Sequence, residues 1–275
     1  MQFLTTHLAR CGTRLCLGLD LDPERIPDRY QSLPDPLGAL GADIVEATAD
    51  LVAAFKPNAA FYEQQGPAGW QSLTELVARI GSRAFVIVDA KRGDIGNTSA
   101  RYARAFFDRM GAHALTLAPY MGRDSVEPFL AGRAAPVDQL GPGMGAYVLA
   151  LTSNPGAADF QLLPVDGRPL YWRVLEMLER WNSGWAAGRL GAVVGATRAE
   201  ELAAVRQAFP ALPLLIPGVG AQGGDLDAVQ AALRLGHGPA LINVSRDVLY
   251  GRDPVAEPEA VRERARDYAR RLDLL

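Results

Sequence analysis

The densest group of reactive side chains lies in VDAKRGDIGNT, Val88 to Thr98, where Asp89, Lys91 and Asp94 fall within six residues. An apolar run, Ala84 to Val88, leads into it. On a strand, residues i and i+2 point to the same side, so a strand reaching Lys91 would turn Asp89 and Lys91 into one pocket. An ionised carboxylate held in a largely dry pocket disfavours a substrate carboxylate placed against it. A protonated lysine beside it can take up charge as that group leaves, and can deliver a proton. The same residues would also serve as a structural ion-pair network at a strand end.

Lysine occurs only at positions 56 and 91, and every other basic side chain is arginine. Both lysines end apolar runs, VAAFKPN and VIVDAKRGD. Lysine is a compact charge whose pKa can fall, so it can give and recover a proton where arginine cannot. Lys56, if its strand neighbours that of Asp89, would stand beside that carboxylate. Alternating acids and ammoniums hold one another in their charged forms.

A second element is PGVGAQGG, Pro217 to Gly224. Glycines let a backbone turn sharply and bring N–H groups close to an anion. Gly218 to Gly223 fits G-x-G-x-x-G, which alone is weak evidence for a dinucleotide fold. Arg246, in VSR, offers a bidentate grip suited to phosphate.

These residues need elements to position them, and the chain supplies eight apolar runs. They are Arg14 to Asp20, Val52 to Asn58, Ala84 to Ala90, Ala114 to Pro119, Ala146 to Thr152, Leu190 to Ala196, Pro213 to Gly218 and Ala240 to Ser245. Continuous apolarity marks parallel strands covered on both faces. Helix-like periodicity fills Ser72 to Ile80, Ser99 to Met110, Leu170 to Trp181, Ala199 to Ala208, Leu226 to Leu235 and Pro254 to Leu275. The Gly- and Pro-rich stretch Arg123 to Gly145 reads as an enlarged loop region with room for a short helix at Ser125 to Gly132. Eight alternating units give an α/β fold, a (β/α)₈ barrel, as one domain over residues 1–275. An open doubly wound sheet is the alternative. In a barrel the site forms where strands end. That singles out Asp20, Lys56, Asn58, Asp89, Lys91, Thr152, Ser153, Asn154 and Arg246, with the glycine turn after the seventh run at the common phosphate position.

Composition agrees with a soluble enzyme: 275 residues, 49% hydrophobic and 21% charged. A net charge of −3 gives no reason to expect nucleic acid or an anionic membrane as partner. No apolar run reaches the roughly 18 residues that span a bilayer, and the start lacks a signal-peptide pattern. Two cysteines, Cys11 and Cys16, form neither a disulfide framework nor a zinc site, so a reducing cytoplasm is expected. His7, His113 and His237 show no metal-ligand spacing and read as structural or surface residues. Asp22 sits where Pro23 begins a turn. Arg92 is either a solvated charge or a rim contact. The four tryptophans read as packing.

FKPNAAFYEQQG, VDAKRGDIGNT, LTSNPGA and PGVGAQGG followed by VSR occur here in the order and spacing of one family. Over nearly its whole length the chain resembles orotidine 5′-phosphate decarboxylase, in the longer of its two bacterial-type branches. The resemblance implies decarboxylation of orotidine 5′-phosphate to uridine 5′-phosphate without metal or organic cofactor. It implies a catalytic network of Lys56, Asp89, Lys91 and Asp94, in which Lys91 protonates C6 of the pyrimidine and Asp89 sits near the substrate carboxylate. Asp20 and Lys56 would contact ribose hydroxyls, Ser153 the pyrimidine, and Gln222 and Arg246 the phosphate. Asp94 and Thr98 would reach the ribose in the other subunit of a homodimer. One departure is Ser245, where many relatives have glycine.

Two rivals differ in testable ways. A metal-dependent sugar-phosphate lyase or synthase on the same barrel would be expected to carry an acid where Lys56 stands. A non-catalytic phosphate-ligand binding protein would need no proton donor, and the two retained lysines count against it.

Overall fold

The computed structural model describes residues 2–133, 140–220 and 223–273. Eight parallel strands close a barrel: β1 Leu15–Leu19, β2 Ala54–Pro57, β3 Phe85–Arg92, β4 Ala114–Leu117, β5 Gly145–Leu151, β6 Leu190–Val194, β7 Leu214–Pro217 and β8 Ala240–Val244. Each pairs with its neighbour in sequence, and β8 closes on β1 with Leu15 opposite Ile242 and Leu17 opposite Val244. That closure makes the fold the expected (β/α)₈ barrel and excludes the open sheet. The strands fall inside the eight apolar runs, except that β3 extends to Arg92 and β5 starts at Gly145.

The helices follow their expected segments with shifted ends. Ala199–Ala208 is as expected, Gly66–Ile80 starts earlier, and Leu226–Leu233 stops two residues short. The last helix begins at Pro258 rather than Pro254, with a proline again at its first turn, whose N–H groups need no partner. It ends at Arg271, four residues before the expected end at Leu275. Gly96–Ala103 continues as a wider π-helical stretch, Arg104–Arg109. A helix over Arg123–Leu130 occupies the enlarged loop region.

Strand alternation separates two cores. Leu15, Leu17 and Leu19 face outward with Phe55, Val86 and Val88, into the layer shared with the helices. Cys16, Ala54, Phe85, Ile87, Ala114 and Leu241 face inward. They meet Phe3, Leu4 and Leu8 of a helix absent from the expected list, Gln2–Cys11. Its Phe3 ring lies 5.6 Å from Phe85, and His7 Nε2 is 2.7 Å from the Ala53 carbonyl. This helix plugs the N-terminal end of the barrel. His113 is buried nearby and neutral. Desolvation pushes its pKa down to about 4, and its Nδ1 accepts from Val86 N at 2.9 Å. The structural reading of these two histidines holds, and His237 is exposed.

Candidate active site

Two residues further along the same inward faces, the side chains turn polar. Ala54 gives way to Lys56, Ile87 to Asp89, Ala114 to Thr116 and Leu241 to Asn243. All four line a cavity of about 290 Å³ at the C-terminal ends of the strands. The period of two that fills the base with apolar groups therefore also aims the functional groups into the mouth.

Asp89 is the centre of the arrangement. Lys56 Nζ donates to its Oδ2 at 2.8 Å, and Lys91 Nζ donates to its Oδ1 at 2.6 Å. The side chains of Lys56 and Asp89 are only 4% and 13% exposed, whereas that of Lys91 is 48% exposed. Burial works against the charge of Lys56, but Asp89 and Asp20 outweigh it and raise its pKa above the ordinary lysine value. Burial likewise opposes ionisation of Asp89, but Lys56 and Lys91 hold its carboxyl well below the usual range. The acid and the buried lysine are thus locked in their charged forms.

Local backbone geometry delivers Lys91 to this place. Between the pairs Val88–Leu115 and Arg92–Leu117, β3 advances four residues while β4 advances two. The bulge frees the N–H groups of Ala90 and Lys91 from the ladder. Both donate instead to Thr116 Oγ1, at 3.0 and 2.9 Å, and the Thr116 hydroxyl donates to Asp89 Oδ1 at 2.9 Å. Lys91 itself has φ 48°, the left-handed region that non-glycine residues seldom enter. Such strain persists where the surroundings over-determine it, and here Thr116 and Asp89 do so. Thr116 was not among the sequence candidates. Its signal was a hydroxyl inside an otherwise apolar buried strand, ALTL, and Asn243 in ALINV carries the same signal.

Around this core the cavity takes in Asp20, Ser153 and Arg246, together with Asn58, Thr152 and Asn154. Asp20 Oδ1 is buried with no partner among the described residues, so the cavity contains an acceptor ready for a ligand hydroxyl. Gly195 packs against Ser153, where a Cβ would lie 3.0 Å from the serine nitrogen. At the other end, Gly218 lines the cavity with φ 97°, and Gly220 has φ 78°. A Cβ on Gly220 would meet Asp247 Oδ2 at 2.2 Å. The glycine turn is therefore required on both conformational and steric grounds. Arg246 starts the helix Arg246–Leu249 and makes no ion pair among the described residues. Ser245 is accommodated because β1 carries Gly18 opposite it: a Cβ there would lie 1.8 Å from Ser245 Oγ.

Two sequence candidates stand apart from the cavity within one chain. Asp94 lies on the loop after β3 and accepts from Ile95 N at 2.7 Å, and Thr98 lies on the helix Gly96–Ala103. Neither lines the cavity. Gln222 lies outside the described residues. Arg92 is a rim contact, paired with Glu63 and stacked on Tyr102 and Phe106. Asp22 caps the turn at Glu24 N, as Pro23 suggested.

Residues 13–261 match the profile of the orotidine 5′-phosphate decarboxylase / HUMPS family. The chain belongs to this family. It is 46% identical over 92% of its length to orotidine 5′-phosphate decarboxylase of Herpetosiphon aurantiacus, covering 90% of that protein. It is 45% identical over 96% of its length to the same enzyme of Thermomicrobium roseum, covering 91% of it. Among solved structures, the orotidine monophosphate decarboxylase of Leishmania donovani superposes with a TM-score of 0.79 at 34% identity, over 98% of this chain and 96% of that one. No helix among the described residues is long and apolar enough to cross a membrane.

Proposed function

We propose that the Lys56–Asp89–Lys91 row carries out the reaction of the family's decarboxylases, the conversion of orotidine 5′-phosphate to uridine 5′-phosphate, with Lys91 as the proton donor. The observation that carries this reading is the placement of Asp89 between two lysines in a cavity. Lys56 stands where a metal-dependent relative would need an acid. The substrate phosphate sits between the Gly218 turn and Arg246, with Gln222 as a further ligand. Asp20 and Lys56 take the ribose hydroxyls, and Ser153 takes the pyrimidine. The substrate carboxylate then faces Asp89. The bond between C6 and the carboxylate breaks, carbon dioxide leaves, and the electron pair remaining on C6 takes a proton from the Lys91 ammonium. Lys56 keeps Asp89 ionised throughout. Binding energy from the phosphate holds the carboxylate against Asp89 in the ground state, and that repulsion disappears as charge moves from the carboxylate onto C6 beside Lys91.

The reading takes the whole chain as one barrel domain working in the cytoplasm as a homodimer. Asp94 and Thr98 then belong to the ribose site of the partner subunit, which explains their distance from the cavity of their own chain. Ile95 and Tyr120, 61% and 87% exposed on the loops after β3 and β4, are apolar groups that a second copy would cover.

The test is direct. Purified protein, stripped with EDTA, should deplete the absorbance of orotidine 5′-phosphate at the rate of untreated protein. Activity that returns only with Mg²⁺ would favour the sugar-phosphate alternative.

A further inference from the structure

At the base of the barrel, opposite the catalytic mouth, lies a second cavity of about 200 Å³. Arg14, Arg234, Gly236, Leu272 and Asp273 contribute to its wall. A further arginine lies behind this wall. Arg206, on the helix Ala199–Ala208, is 0% exposed. Its Nη1 donates to the carbonyls of Leu212 at 2.8 Å and Pro210 at 3.2 Å. A Cβ on Gly236 would lie 2.4 Å from Arg206 Cδ, so only glycine lets the buried side chain and the cavity wall approach this closely.

Among the described residues two of these guanidinium groups have donors without an acceptor. These are Nε and Nη2 of Arg206 and Nε of Arg14, buried without a hydrogen-bond partner among the described residues. Among the described residues neither arginine makes an ion pair, and Asp273, exposed, is the one acid in the lining. Burial first, and then the charge of Arg14, pushes the pKa of Arg206 down to about 10. The helices Leu226–Leu233 and Pro258–Arg271 end here, and helix C-termini favour cations. That accounts for basic residues at this end. It does not account for guanidinium N–H groups left without an acceptor, which is costly for a buried charge. An oxyanion in the adjoining cavity would offer acceptors to such donors.

We propose that this basal cavity is a binding site for a small oxyanion of the phosphate or sulfate class, seated on Arg14 and Arg234 with Arg206 supplying charge from behind. It is a second anion site, independent of the one at Arg246 and of the reaction assigned above.

Inorganic phosphate is the probe, with sodium chloride at matched ionic strength as reference. The catalytic phosphate position is first disabled by Arg246→Ala. Thermal unfolding of that protein should still shift upward with phosphate and saturate as one site, and ³¹P line broadening should titrate to one phosphate per chain. Adding Arg14→Gln should abolish both responses. Arg234→Gln, at an exposed position that tolerates change, should weaken phosphate binding several-fold and guards against misfolding of the first variant. Arg14→Gln alone should keep the decarboxylation rate within about twofold, since the two sites are separate. The proposal fails if Arg246→Ala alone removes the phosphate response, if chloride reproduces it, or if it survives Arg14→Gln.

Discussion

At the mouth of the barrel, Asp89 has Lys56 2.8 Å from one oxygen and Lys91 2.6 Å from the other. A few residues toward the base, the same inward strand faces carry Ala54, Ile87 and Ala114, packed against the N-terminal helix, without a charge among them. Both regions are buried, yet they do opposite work. The base stabilises by removing apolar surface from water. The mouth places charges in a low-dielectric pocket, where they remain ionised because each has a partner, and where the Lys91 backbone sits in a disfavoured region. The difference teaches that this barrel separates stability from chemistry along four of its strands, a step of two residues leading from one to the other. It follows that substitutions at one end should move one property and spare the other.

The strongest test of that separation is Lys91→Arg. It keeps the charge, but arginine is a poor proton donor with a larger, planar head. General acid catalysis contributes about 10²- to 10⁴-fold, so kcat should fall by on the order of 10³-fold. The thermal midpoint should stay within a few degrees of the parent, because a half-exposed side chain at the mouth adds little to the core. Near-normal turnover by folded Lys91→Arg protein would show that position 91 supplies only charge.

The converse test is Phe85→Ala at the base. The ring is fully buried against Phe3 and His113. Its removal should cost about 3–5 kcal/mol in denaturant unfolding. Turnover per folded molecule, measured well below the unfolding midpoint, should be nearly unchanged. A large drop in kcat for protein that is fully folded would mean that the plug tunes the mouth, and the separation would be lost.

Much of this was readable beforehand, for identifiable reasons. Parallel strands buried on both faces leave continuous apolar runs, so all eight appeared in the sequence with their polar ends at Asp20, Lys56, Asp89 and Ser153. The spacing of Asp89 and Lys91 announced a shared pocket, and the structure brings both to it. The N-terminal helix was missed although Phe3, Leu4, His7, Leu8 and Cys11 recur at helical spacing, because QFLTTHLARC is short and has few large apolar residues. The bulge in β3 was missed because nothing local in VDAKR encodes it; the hydroxyl that stabilises it arrives from β4, on Thr116. Asp94 and Thr98 do not line the cavity of their own chain.

Thr116 is the residue at which stability and chemistry should meet, and Thr116→Val is the smallest and most discriminating change. Valine preserves the branched shape and removes one oxygen. That oxygen accepts from Ala90 N and Lys91 N and donates to Asp89. Two N–H groups of the bulge would lose their acceptor, at about 1–3 kcal/mol for each that stays buried and unpaired. Water entering from the cavity can satisfy part of this, so the expected loss of stability lies near the lower figure, below that of Phe85→Ala. The strained backbone at Lys91 would also lose one of its two supports, and its ammonium would be held less firmly over the reacting carbon. We therefore expect kcat to fall about tenfold, about 1.4 kcal/mol in barrier, with KM little changed, because Thr116 is assigned no contact with phosphate or ribose. Thr116→Ser, which restores the hydroxyl, should recover most of kcat. A variant that loses stability while kcat stays within twofold would make Thr116 a purely structural group. If Thr116→Ser fails to rescue, the missing methyl rather than the hydroxyl would be what holds the bulge.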